Sequence, residues 1–229
     1  MDMPVSRVLA LALIANGLLT TADRAAEAPP PARTCDDGLK SAFASDPQTT
    51  VVLVKPYHKD DSLVLPGDKG AQAPKATNEL CLVKLIVGPG NPGSADAPST
   101  TKGIGIEIWL PSAERWNGRI HAQGGGGFQG GASGSPDNVG NPVAAMIADG
   151  EGAVASTSDA GHASVPKNYG IPDSGGDFLM NPDGSPTAKL WQDFAVRAIH
   201  EQAVKTKAVT LAYYGRPARY GYWDGRSTG

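Results

Sequence analysis

The sequence predicts an α/β fold, an open and largely parallel sheet entered through an antiparallel hairpin. Three observations carry that expectation. Strand-like apolar patterns come first and then alternate with helical ones, in the order strands, helix, strand, helix, strand. A glycine-dense run, residues 124–131, follows a strand pattern and precedes the first crossover helix. The last strand pattern leads directly into Gly225-Arg226-Ser227-Thr228-Gly229, where the sequence stops.

Length and composition bound the answer. The chain has 229 residues, enough for one domain, and a formal charge of −3. No basic patch points to nucleic acid, and no long acidic run points to a solvating tail. The 29 glycines and 19 prolines are many, so much of the chain is expected to be loop. There is no internal repeat.

The N-terminus has the pattern of a secretory signal over residues 1–28, which leaves 29–229 as the mature domain. Arg7 supplies the positive region, residues 8–15 are apolar, and Leu18-Leu19 extend the run. Ala22 and the Ala26-Glu27-Ala28 triplet are cleavage candidates. The alternative is an apolar core helix that happens to be N-terminal. The run is shorter than the roughly 20 residues a membrane span needs, and no later stretch approaches that length. The expectation is a secreted or periplasmic protein with no membrane attachment once the signal is removed. Only Cys35 and Cys81 are present, and an exported chain with two cysteines favours one disulfide over two thiols. Such a bridge closes a long loop, worth roughly 3–4 kcal/mol on the chain-entropy model.

Pro29-Pro30-Pro31 is a stiff spacer. Residues 50–55 are β-branched and continuous and predict a strand. Residues 60–77 are polar and rich in Pro and Gly, so they predict loop, and 80–87 predict a second strand. Ile104, Ile106 and Ile108 alternate with Gly105 and Glu107, the period of a strand with one buried face. Pro111 ends it, residues 114–118 make a turn, and 119–123 return as the second arm of a hairpin. Residues 142–148 predict a helix with Pro142 in its first turn. Residues 152–157 predict a buried small-residue strand, and 158–185 a long polar loop. Residues 189–209 predict the longest helix, with Leu190, Trp191, Phe194, Ala195, Ala198 and Ile199 on one face. It continues briefly to Gly215 and Pro217, after which the aromatic segment 219–224 predicts the last strand.

The pentapeptide at 225–229 has the form Gly-x-Ser-x-Gly, the nucleophile elbow of α/β-hydrolases. A serine hydroxyl is a weak nucleophile unless a base takes its proton and donors hold the oxyanion. Ser227 is therefore the nucleophile candidate. The amides of Gly125, Gly126 or Gly127 and of Thr228 are the oxyanion-hole candidates, because the loop after the third strand and the residue after the serine supply those donors. Glycine lets the backbone approach a ligand oxygen without a Cβ in the way. The plain alternative for the glycine run is a flexible surface loop.

Two motif matches are rejected. Residues 125–130 fit a dinucleotide fingerprint, with Asp149 near its acidic position, but 131–136 cannot open the helix that must hold a pyrophosphate. Asp173-Ser174-Gly175-Gly176 resembles the serine loop of trypsin-like proteases, but the fold pattern is not all-β. Of the histidines, His58, His121, His162 and His200, none follows the serine as a triad base would. His162 closes a turn at a strand's C-terminal end, where α/β sites collect, and a structural role suits it best. No His/Cys/Asp spacing points to zinc.

Five segments in order, 116–120, 124–131, 155–162, 191–200 and 222–229, together resemble the tannase and feruloyl esterase family of secreted serine esterases. The resemblance runs from about Cys35 to Gly229. It implies an α/β-hydrolase fold, of which the chain holds the N-terminal half up to the elbow. Catalytic acid, histidine, lid and C-terminal half have no counterpart in these residues. It implies small-molecule aromatic esters of phenolic acids as substrates, with no nucleic acid partner. It implies no cofactor in this segment, although some members hold structural calcium in the lid. Cys35 and Cys81 resemble the family's N-terminal disulfide pair. Arg226 stands where many members carry a cysteine bridged to another beside the catalytic histidine, so that bridge is excluded here. The implied activity is serine-dependent carboxylic ester hydrolysis by the complete protein, with the 229 residues alone inactive. The alternative is a non-catalytic exported binding protein on a hydrolase scaffold, or a gene product that ends at Gly229. An Asp and then a His downstream would favour the enzyme.

Overall fold

The computed structural model describes residues 32–43, 45–69, 73–163 and 175–229. The predicted signal, the triproline spacer, and Asp173 and Ser174 of the rejected protease match lie outside them.

One sheet of six strands organises the chain. In chain order the strands are β1 (Thr49–Tyr57), β2 (Leu80–Val87), β3 (Ile104–Pro111), β4 (Arg119–Gln123), β5 (Val154–Ser158) and β6 (Tyr220–Asp224). Their spatial order is β1-β2-β3-β5-β4-β6. The pairs β1/β2, β2/β3 and β3/β5 are antiparallel, whereas β4/β5 and β4/β6 are parallel. β2, β5, β4 and β6 therefore all run the same way. The sheet is mixed and largely parallel, entered through an antiparallel meander.

Each predicted strand exists, but one pairing differs. β3 and β4 were expected to form a hairpin. Instead β5 lies between them, pairing with β3 on one side and β4 on the other. The cause is the crossover through α1 (Pro142–Glu151), which returns the chain beside β4 in the parallel sense. Parallel neighbours require such a connection. α1 starts where Asn141 accepts the Val143 amide at 3.0 Å and Pro142 occupies the first turn. It ends at Gly152, whose φ of 69° closes the helix. β5 consequently begins at Val154, two residues later than its sequence pattern suggests.

The expected long helix is three segments. α2 (Ala188–Gln192) and α3 (Ala198–Tyr214) flank one π-helical segment, Asp193–Arg197. That inserted residue rotates the face. Leu190 and Ala198 are buried as expected, but Trp191, Ala195 and Ile199 face solvent. Asp193 turns inward instead, fully buried and paired with Lys189 and Arg197. The inner face of α3 then runs through Gln202, Thr206, Val209, Thr210, Tyr213 and Tyr214. In the expected polar loop after β5, a short 3-10 turn, Gly176–Leu179, buries Phe178 and Leu179.

Both faces of the sheet are covered. On one, Val83, Leu85, Ile106 and Ile108 pack with Val209 and Tyr214 of α3. On the other, Leu82, Trp109 and Ala155 pack with Ala144, Ala145 and Ala148 of α1. β3 was expected to bury one face only, yet every residue in it is buried. Glu107 lies on the α1 side with no exposed surface, directly opposite Lys84 of β2. The two side chains meet at 2.9 Å. Cys35 and Cys81 form a disulfide that ties the N-terminal segment to β2.

Replacing Lys84 by Met leaves a buried carboxylate without its cation, and should cost about 3–5 kcal/mol in urea unfolding. Adding Glu107→Gln should recover part of that loss. Separately, the bridged cysteines close a span of 46 residues. Reduction should lower stability by about 4 kcal/mol on the loop-entropy model, and alkylation of unreduced protein should label neither thiol.

Candidate active site

β4 and β6 run side by side, and their last residues, Gln123 and Asp224, are in register. Both chains therefore leave the sheet at the same place. Gly124 starts the glycine-rich loop there, and Gly225 starts the turn that carries Ser227. The Gly124 amide donates to the Asp224 carbonyl at 2.9 Å. This is the carboxyl end of parallel strands, where open α/β sheets collect their sites.

The turn is a strained one. Ser227 has φ of 57°, a left-handed conformation that a non-glycine residue holds only when its surroundings impose it. The surroundings are visible. The Gly229 amide closes the turn on the Arg226 carbonyl at 3.1 Å. The Thr228 hydroxyl donates to the Gly127 carbonyl at 2.6 Å. The flanking glycines are required by contact. A Cβ on Gly225 would stand 2.6 Å from Nε1 of Trp223 and would strike the Gly229 carbonyl. A Cβ on Gly229 would strike the backbone of Gly125.

The turn presents Ser227 to solvent. The loop residue that faces it is Gly126, where an added Cβ would lie 3.8 Å from the Ser227 Cβ. The structure thus brings together Ser227, Thr228, Gly125, Gly126 and Gly127, the five residues singled out from the sequence. A cavity of about 50 Å³ lies behind them, lined by Gln123, Gly124, Gln202, Trp223, Thr228 and Gly229 among others.

The residues around the site hold the two loops in place. Gln202 of α3 donates to the carbonyls of Gln123 at 3.1 Å and Ser156 at 3.0 Å, fixing the end of β4 and the middle of β5. His162 stacks on Phe178 at 3.5 Å, and its Nε2 lies 3.0 Å from the Phe128 carbonyl. The Gly131 amide donates to the His162 carbonyl at 3.1 Å. His162 therefore holds the far end of the glycine-rich loop, the structural role expected of it. His58 and His121 pair with Glu79 and Glu151. Among the described residues no group of three His, Cys, Asp or Glu side chains is placed to hold a metal. No helix among them is long and apolar enough to cross a membrane.

Sequence reasoning missed Gln129, Asp159 and Gln202. Gln129 was hidden within a glycine motif, and Gln202 within a helix whose face was misjudged. Asp159 is fully buried and accepts the amides of Gly105 at 2.8 Å and Gly161 at 2.9 Å. Burial pushes its carboxyl up to about 7, and the backbone amides and the Lys84 charge offset only part of that.

A family model described as tannase and feruloyl esterase matches residues 86–229. A probable feruloyl esterase of Arthroderma benhamiae is 33% identical over 166 residues, covering 72% of this chain and 27% of that protein. Two crystal structures from Aspergillus oryzae superpose with a TM-score of 0.57 each. One is an esterase, at 21% identity, with 84% of this chain and 33% of that one covered. The other is feruloyl esterase B, at 22% identity, with 83% and 33% covered. The chain spans about a quarter to a third of the length of these relatives. The superpositions show that the chain shares the fold of part of these two structures.

The sign of the Asp159 effect follows from its raised carboxyl. Between the ordinary value of 3.8 and about 7 the folded state holds a proton that the unfolded state has lost. This contribution to stability is full below about pH 4 and is lost as pH rises through 7. It amounts to a few kcal/mol, the order of 1.4 per unit. Urea melts across that window should show the decline, and Asp159→Asn should flatten it.

Proposed function

The chain belongs to the tannase and feruloyl esterase family, and from that premise we propose that it carries the nucleophile and oxyanion site of a serine-dependent carboxylic ester hydrolase. The observation that carries this reading is Ser227 itself. It is held at φ 57° on the turn after β6, with Gly126 facing it and Thr228 tied to Gly127. A strained, exposed serine against a glycine loop is the arrangement that acyl transfer requires.

In the reaction proposed, the Ser227 hydroxyl loses its proton to a base as Oγ attacks the ester carbonyl. The carbonyl oxygen takes the electron pair and rests on backbone amides of Thr228 and of the Gly125, Gly126, Gly127 stretch. Collapse of the tetrahedral intermediate expels the alcohol, which takes the proton from the base. Water then attacks the acyl-serine by the same route and releases the acid. The base is proposed to come from chain that follows the elbow, in the order serine, acid, histidine. The placement of His58, His121 and His162 supports this, since each is engaged elsewhere.

The substrates proposed are small esters of phenolic acids, on the strength of the family and of the relatives' names. Export is proposed as well, supported by the Cys35–Cys81 disulfide, a bond that persists in oxidising compartments.

In the full-length protein, Ser227→Ala should lower turnover of methyl ferulate by about three orders of magnitude or more, with the melting temperature unchanged. A fluorophosphonate should label Ser227. Normal turnover by the alanine variant would remove the reading and favour a binding protein on the same scaffold.

A further inference from the structure

The amide of Gly126, the loop residue beside Ser227, already has an acceptor. Gly126 donates its N–H to Oε1 of Gln129 at 3.2 Å. The Gln129 amide returns the bond, donating to the Gly126 carbonyl at 3.2 Å. The two bonds close the turn from Gly126 to Gln129. The carboxamide also lies against Gly125, where an added Cβ would stand 2.8 Å from the Gln129 Cδ. Gln129 lines the same cavity as Thr228, and its side chain is exposed.

From this geometry we propose that Gln129 is a positioning residue of the oxyanion site, an internal acceptor that keeps the Gly126 amide aimed and yields it to the ester oxygen. The proposal rests on the reading of Ser227 as nucleophile.

The exchange has an energetic consequence. A ground-state ester carbonyl that displaces the Gln129 oxygen trades one neutral hydrogen bond for another. Its net gain is small. As Oγ attacks, the same oxygen becomes an anion, and the Gly126 bond becomes charge-assisted and roughly twice as strong. The amide then favours the transition state over bound substrate, which raises kcat and leaves KM alone. A tethered neutral acceptor suits this role. An apolar side chain would leave the amide to water, and an anionic one would hold it too tightly and repel the oxyanion. The exposure of Gln129 lets the carboxamide swing into water without disturbing the core.

No covalent step is added to the acyl transfer. The bond to Gln129 breaks, the bond to the substrate oxygen forms, and the reverse happens on release.

The test compares Gln129→Met and Gln129→Glu with the wild type in the full-length protein, using methyl ferulate. Both substitutions are at an exposed position, and thermal melts confirm folding. Gln129→Met leaves the Gly126 amide to water, so KM should stay within about twofold while kcat falls about fivefold as the amide loses its tethered aim, the worth of one neutral hydrogen bond. Gln129→Glu should lower kcat about tenfold or more near pH 8, as loss of an oxyanion donor does. Its kcat relative to wild type should then recover as pH falls from about 6 to 4, where a glutamate takes up its proton. A purely structural role for Gln129 would not produce that added limb in the pH profile. If a fluorophosphonate labels Ser227 while both variants keep wild-type kcat, KM and pH profile, the proposal is overturned and the esterase reading stands. If Ser227 is not labelled in the wild type, both fall together.

Discussion

The buried ion pair between Lys84 and Glu107 is the constraint on which the arrangement depends. The two residues face each other across β2 and β3 with no exposed surface. Burying two charges is costly unless every remaining donor and acceptor is used. Here most of them are used on one segment, residues 132–140. Lys84 also donates to the carbonyls of Ala132 and Asn138. Glu107 also accepts from the indole of Trp109 at 2.8 Å and from the Gly140 amide at 2.6 Å. The loop between the glycine-rich run and α1 has little apolar surface of its own. It lies over the sheet because the polar backbone groups at its two ends complete a charge pair that would otherwise be unsatisfied.

That attachment reaches the site through both ends of the loop. At one end Asp159 takes the Gly105 amide, and Gly134 lies against Gly105 so closely that no Cβ fits between them. At the other end β4 delivers Gly124 beside Asp224. Between these anchors the segment 124–131 is free to take the backbone course that Ser227 needs opposite it. Glycine is required there for close approach to another backbone more than for freedom. Gly124 and Gly125 press on Gly229, and a side chain at Gly124 or Gly229 would separate loop from turn, whereas one at Gly225 would clash within the turn itself.

The sequence made most of this legible where a local pattern has a single physical meaning. Apolar runs at 80–87 and 104–111 are strands because no other structure buries them so completely. The elbow is legible because Gly-x-Ser-x-Gly after an aromatic strand encodes a strained turn. Other features depend on distant partners. The alternation of Ile with Gly105 and Glu107 reads as one wet face, and only Lys84, twenty-three positions away and equally out of place in an apolar strand, shows that both faces are dry. The insertion of β5 between β3 and β4 is a property of the crossover, not of any strand. The shift of helical face at Asp193 comes from one extra residue in the turn, which no periodicity analysis of 3.6 residues detects. Gln129 matters only because of which amide its side chain reaches.

β6, the strand that leads into Ser227, is the least buried of the six among the described residues. All five residues of β6 are exposed, and within the described sheet it pairs with β4 alone. Maintaining the left-handed conformation of Ser227 costs on the order of 1 kcal/mol or more. Among the described residues three polar contacts help to offset it: the Gly124 bond to Asp224, the Gly229 bond to Arg226 and the Thr228 bond to Gly127. Two of the three join β6 and its turn to the glycine-rich loop, so the geometry of Ser227 and that of the loop stand or fall together. Loosening the loop would relax the serine, and relaxing the serine would withdraw the Thr228 hydroxyl from the loop. A site built this way keeps its precision through backbone contact between two glycine-rich segments, with the buried Lys84–Glu107 pair anchoring the segment that follows one of them.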